Sequence, residues 1–135
     1  IKNINKNLIN GIKKKKFDYK PFYSLHTNTV GESYQSKIKK ISKHLIKNKA
    51  DFLFVTAPEN VAWILNIRGY DNPNSPMPNC RLIIDKGGEI YLICKKNKAQ
   101  KLIKEKKINF NRVISTNQLE KILLNFKKKK IYNRW

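Results

Sequence analysis

The chain holds two histidines, two cysteines and nine carboxylates in 135 residues, and their spacing limits the chemistry open to it. His26 and His44 lie far apart, and neither has a second His, Cys or acid at the spacing a metal site uses. Nucleophilic catalysis needs a serine or cysteine within reach of a base, and no local motif supplies that pair. Gly87 and Gly88 fall where a tight hairpin is expected, not a phosphate-cradling loop. The reading is therefore no catalytic residue, no metal ligand and no cofactor site in this chain. The most suggestive pair is Arg68 and Asp71, three apart across Gly69. A two-pronged, charge-assisted hydrogen bond between them would pin a loop.

The elements that would position this pair can be read around it. Pro58 in a first turn costs no needed N–H, and Glu59 suits the positive end of a helix dipole. Val61, Ile64 and Leu65 share one face, so a helix over 58–65 should dock on a sheet, with Trp63 filling core beside them. Asn66 and Gly69 are residue types that tolerate a left-handed exit. Upstream, Ser33 is a plausible N-cap for a helix from 34 to about 49, with Ile38, Ile41, Leu45 and Ile46 as its apolar stripe. Residues 51–57, DFLFVTA, read as a strand covered on both faces. Downstream, 81–84 and 89–94 read as a β-hairpin. A helix capped by Asn97 over 98–107, a strand at 113–114, a helix opened by Thr116 or Asn117, and a final strand or cut end at 131–135 complete the pattern. Residues 17–30 should lie extended along the surface. The result is a single α/β domain over 21–135, a mixed central sheet flanked by helices, preceded by a linker or entry helix over 1–20.

Trp63, Asn66, Arg68, Gly69, Asp71, Pro73 and Pro76 spell W-x-x-N-x-R-G-x-D-x-P-x-x-P. That segment resembles the signature of the aminopeptidase P family, and more narrowly the second of the two non-catalytic, creatinase-like domains in its long, three-domain members. Agreement extends to Asn7-Leu8-Ile9-Asn10, to Tyr23 through Gly31-Glu32-Ser33, to the helix bearing Lys37 and to the apolar strand after Cys80. The resemblance implies a creatinase N-terminal-like fold. It also implies a parent polypeptide that removes an N-terminal residue preceding proline, using two divalent metal ions, manganese being the expected one, in a separate catalytic domain. The partners it implies are the other domains of that parent, a second copy in a homodimer, and peptide substrates. By the same token this piece alone should be inert, with the signature loop either bracing the fold or facing the neighbouring domain. Pro73, Pro76 and Pro78 would stiffen its outer edge.

Charge gives a rival reading. The formal charge of +21 would suit a stand-alone module for nucleic acid or another polyanion. Of the 30 basic residues, however, only Arg68, Arg81, Arg112 and Arg134 are arginines, the type favoured for reading bases and gripping phosphates. Lys, Asn and Ile, which dominate the chain, all have A/T-rich codons, so compositional drift accounts for the charge without a specific nucleic acid. No apolar run approaches the roughly 18–20 residues of a membrane span. Residues 1–11 lack the uninterrupted apolar stretch of a secretory signal. With Cys80 and Cys94 expected as buried free thiols, a cytoplasmic setting follows.

Overall fold

A computed structural model describes residues 20–126 and 130–132. Its centre is a five-stranded mixed sheet. Strands β2 (Phe52–Val55), β4 (Arg81–Asp85) and β5 (Ile90–Ile93) form the antiparallel middle. The short strands β6 (Val113–Ile114) and β7 (Ile131–Tyr132) add in parallel at the two edges, giving the order β6-β5-β4-β2-β7. A separate two-stranded ribbon pairs β1 (Tyr23–Ser24) with β3 (Ile67–Arg68). The expected single α/β domain with helices on a mixed sheet is what forms.

Strand alternation sorts the side chains into two cores. Leu53, Val55, Leu82, Ile84 and Leu92 face one side, where they meet helices α2 (Tyr34–Lys47), α3 (Pro58–Leu65) and α4 (Gln100–Lys104). Phe52, Ile83, Ile93 and Ile114 face the other, under helix α5 (Leu119–Asn125). There Phe52 stacks on Phe126 with ring centroids 4.1 Å apart. A one-turn helix, α1 (Thr27–Val30), precedes α2.

Local chemistry sets most boundaries. The Ser33 side chain accepts from the Ser36 N–H and starts α2 as expected. Helix α2 ends two residues earlier than the pattern suggested. Lys49 turns left-handed (φ 52°), with Lys49 N–H donating to Ile46 O and Ala50 N–H to Leu45 O. Helix α4 stops the same way at Lys106 (φ 54°), so it does not reach 107. It is also entered through a 3-10 turn, Lys96–Ala99, after Lys95, and Asn97 does not cap it. The hairpin turn is held by Asp85 Oδ1, which accepts from the Gly87 and Glu89 N–H groups.

Three further expectations are corrected. Residues 20–30 do not simply lie along the surface, since Phe22 is fully buried and Tyr23–Ser24 form a strand. Ile46 is 60% exposed, being one helical step beyond the buried Leu45. Trp63 is 59% exposed and fills no core. In α3 the buried positions are Val61, Ala62, Ile64 and Leu65, and a side chain between Ala62 and Ile64 is rotated out to solvent. The stretch read as a linker falls, apart from Lys20, outside the described residues.

Candidate functional site

The signature segment begins at the C-terminal end of α3, where backbone carbonyls lack helical partners. Asn66 exits left-handed (φ 51°, ψ 49°), and its N–H closes onto Ala62 O and Trp63 O. Its side chain is buried and bonded at both its oxygen and its nitrogen. Nδ2 donates to Glu32 O and Oδ1 accepts from Lys37 Nζ, each at 2.7 Å.

Three cations gather on that helix end. Lys37 Nζ donates to Trp63 O at 2.7 Å and sits 4.1 Å above the Trp63 ring. Lys107 Nζ donates to Leu65 O at 3.1 Å. Arg68 Nη1 donates to Ile67 O at 2.8 Å and, more weakly, to Ala62 O at 3.4 Å. Cations placed there complement the negative end of the helix dipole. Lys37 is only 3% exposed, and burial, opposed by the Glu32 charge and aided by that of Arg68, lowers its pKa below the usual lysine value. Burial also lowers that of Lys107.

Arg68 and Asp71 do not pair. Ile67–Arg68 is a strand, and on an extended chain side chains three apart point to opposite sides. Ile67 and Gly69 face inward, whereas Arg68 is half-buried and Tyr70 exposed. Asp71 turns the other way, to an ion pair with Lys98 at 2.6 Å, and it accepts from Asn79 N–H at 2.7 Å. Lys98 Nζ also donates to Lys20 O, so the loop is tied to both the 96–99 turn and the β1 entrance.

Gly69 is needed for a reason other than a left-handed turn, since its φ is not positive. A Cβ there would stand 2.8 Å from Pro78 Cα and 3.1 Å from Phe22 Cδ1. Pro73 and Pro76 lie exposed on the loop rim, while Pro78 is buried and Pro76 O accepts from Gly69 N–H.

Lys37, Lys98 and Lys107 are the contributors that sequence reasoning missed. A signal existed for two of them. Lys37 precedes Ile41 and Leu45 by four and eight positions, and Lys98 precedes Leu102 by four, so each continues an apolar helical stripe.

The remaining reactive groups are quiet. Cys80 and Cys94 sit one step beyond β4 and β5, both buried. Burial chiefly, helped by the Asp71 charge, pushes Cys94 up to about 12 and raises Cys80 as well. Among the described residues no three His, Cys, Asp or Glu side chains could together hold a metal ion. His26 and His44 are exposed on separate elements. No described helix is long and apolar enough to cross a membrane. What the geometry presents is a cation-rich helix end, with Trp63 exposed and Arg68 half-buried beside it.

The fold has a known counterpart. The fold resembles that of the X-prolyl aminopeptidase from Caenorhabditis elegans, a cytosolic enzyme with a di-nuclear active site. The TM-score is 0.69 at 21% identity, covering 81% of this chain and 18% of that one. By sequence, a probable Xaa-Pro aminopeptidase P from Coprinopsis cinerea is 33% identical over 57 residues, 42% of this chain and 9% of that protein. The Xaa-Pro aminopeptidase 1 of Dictyostelium discoideum is 33% identical over 55 residues, 41% of this chain and 9% of its own length. The chain thus matches only a small part of each relative. The family model described as creatinase/prolidase N-terminal domain matches residues 13–133, nearly all of the sequence, and the chain belongs to that family.

Proposed function

We propose that this chain is the non-catalytic second domain of a longer, metal-dependent Xaa-Pro aminopeptidase. The observation that carries the reading is an intact signature, Trp63 through Pro76, within a family match over 13–133, on described residues that form no metal-binding cluster. The relatives named for Xaa-Pro hydrolysis are several times longer than the stretch they share with it. The side chains here do not fit the two metal ions, expected to be manganese, that the parent's catalytic part would hold. No step of the hydrolysis is assigned to them. The domain's contribution is a wall beside that part. A fixed wall orients a peptide and excludes outsize ligands, and neither task needs a reactive group. The parent would work in the cytoplasm, as a homodimer.

The test is to express the reading frame that contains these residues beside the 135-residue chain alone. The parent should hydrolyse an Xaa-Pro peptide in a manganese-dependent way, and the chain alone should not. Turnover by the isolated chain that survives chelation and repurification overturns the proposal, as does a parent without such activity. The charge of +21 supports a second reading, a polyanion-binding module. Tight duplex DNA binding that persists at physiological salt would favour it, whereas weak binding lost steeply with salt marks charge alone.

A further inference from the structure

Cys80 and Cys94 stand opposite each other one step past the end of the β4–β5 hairpin. The ladder pairs Ile84 with Ile90, Ile83 with Tyr91, Leu82 with Leu92 and Arg81 with Ile93, so the same register next brings Cys80 opposite Cys94. Both lie in one core cluster, that of Leu82 and Leu92, and each is 3% exposed. We propose that this pair is a redox modification site, oxidised by a low-molecular-weight disulfide to a shielded cross-strand disulfide that staples the signature loop.

Backbone hydrogen bonds show what kind of opposed pair it is. Antiparallel pairs alternate between hydrogen-bonded ones and non-bonded ones, whose Cα atoms come closer. At the turn Asp85 N–H donates to Glu89 O, which makes those two a bonded pair. Counting outward, Ile83 with Tyr91 and Arg81 with Ile93 are bonded, and Leu82 with Leu92 and Cys80 with Cys94 are not. The outermost donors agree. Cys94 N–H turns away from β4 to Ile114 O at 3.0 Å, and Cys80 N–H turns back to Pro78 O at 2.9 Å. A non-bonded pair holds its Cα atoms about 4.5 Å apart, within the roughly 4.4–6.8 Å that a disulfide spans. The thiols are also near enough that a charge on Cys94 helps to raise the Cys80 pKa.

The position of the pair gives the bond its effect. Asn79, the residue before Cys80, donates its N–H to Asp71 Oδ2 at 2.7 Å, and Lys98, four past Cys94, pairs with Asp71 Oδ1 at 2.6 Å. A bond between the cysteines ties together the two segments that grip Asp71. The chemistry is thiol–disulfide exchange. One cysteine thiolate attacks a sulfur of the small disulfide and expels a small thiolate, which takes up the proton the cysteine gave up. The second cysteine, deprotonated in turn, attacks the mixed disulfide and releases the second small thiol. The pair loses two electrons and the small disulfide becomes two thiols. Burial raises both thiols, Cys94 to about 12, so exchange needs the strand ends to open or the chain to be folding. The same shielding then keeps reductants from the bond, which makes it a slow latch.

Glutathione disulfide is the probe, applied to the reduced 135-residue chain both in the folded state and during refolding from urea. After alkylation of remaining thiols, non-reducing peptide mapping should show the Cys80 and Cys94 peptides joined within one chain and no glutathione retained. The folded chain should lose its thiols at least about tenfold more slowly than the unfolded one, as expected where opening limits exchange. Once oxidised, its folded-to-unfolded ratio in urea should rise on the order of 10- to 100-fold, the range for closing a loop of about 15 residues. Amide exchange across residues 70–79 should slow in step. Thiols still free after refolding with the oxidant overturn the proposal, as do a retained glutathione, dimers linked between chains, or a bond that lowers stability. Equal oxidation rates in the folded and unfolded chain overturn the shielded latch, and unchanged exchange across 70–79 overturns the staple.

Discussion

Lys98 and Asp71 form an ion pair nearly closed to water, 2.6 Å apart with side chains 9% and 17% exposed. Removing one partner strands the other, so Lys98→Met and Asp71→Asn should each cost about 2–3 kcal/mol, somewhat below the range for a fully buried pair. In urea unfolding the double variant should lose clearly less than the sum of the two. Strict additivity would mean that the pair does not hold the signature loop.

Gly69 and Gly31 should respond differently to the same substitution. Gly69→Ala forces a methyl to 2.8 Å from the Pro78 backbone, and overpacking of this kind costs about 2 kcal/mol or more. Gly31→Ala meets nothing within 4 Å and carries only the left-handed backbone penalty of about 1 kcal/mol. Thermal melting that ranked Gly31→Ala as the more damaging change would contradict this packing.

Two lysines occupy backbone positions better suited to glycine. Lys49 and Lys106 each terminate a helix at positive φ, so Lys49→Gly and Lys106→Gly should each stabilise by about 0.5–1 kcal/mol. Lys49→Ala, which keeps the Cβ, should change little. A destabilising Lys49→Gly would show that the exposed lysine makes a contact outweighing its strain.

The buried Lys37 gives stability a pH dependence whose sign is fixed. Its folded-state pKa is lowered, chiefly by burial. Between that value and the unfolded one the unfolded chain binds more protons here, so stability rises with pH. Relative to Lys37→Met, the natural chain should therefore gain stability as pH rises from the lowered folded value toward the unfolded lysine value of about 10.4. A gap that stays constant across this range would sink the idea. Glu32 acts at the acid end. Its hydrogen bonds from Lys40 and Ser36 lower its pKa, so its contribution is present above the ordinary glutamate range and is lost as pH falls through the folded value.

The sequence carried the local grammar and little of the long-range pairing. Pro58 and Asn66 bound α3 at the expected positions, because a first-turn proline and a left-handed exit are properties of single residues. The hairpin was legible for the same reason. The partner of Asp71 was not, because Lys98 lies far along the chain and resembles the many other lysines around it. The outward position of Trp63 was hidden by a hydrophobic letter among hydrophobic letters. The ribbon between β1 and β3, which turns Arg68 away from Asp71, depends on a pairing that no local spacing announces.

The parallel edge strand β7 has a consequence for how the molecule is made. Phe52 and Leu53 pair with Ile131 and Tyr132, and Asp51 meets Lys130 across a separation of 79 positions. A nascent chain on the ribosome would emerge with α2, β2 and α3 long before β7, leaving that border of β2 unpaired while most of the domain is still being translated. Closing so wide a loop is slow relative to hairpin formation. The exposed border would then be the place where a growing chain is most open to chaperone capture or to mispairing with a neighbour.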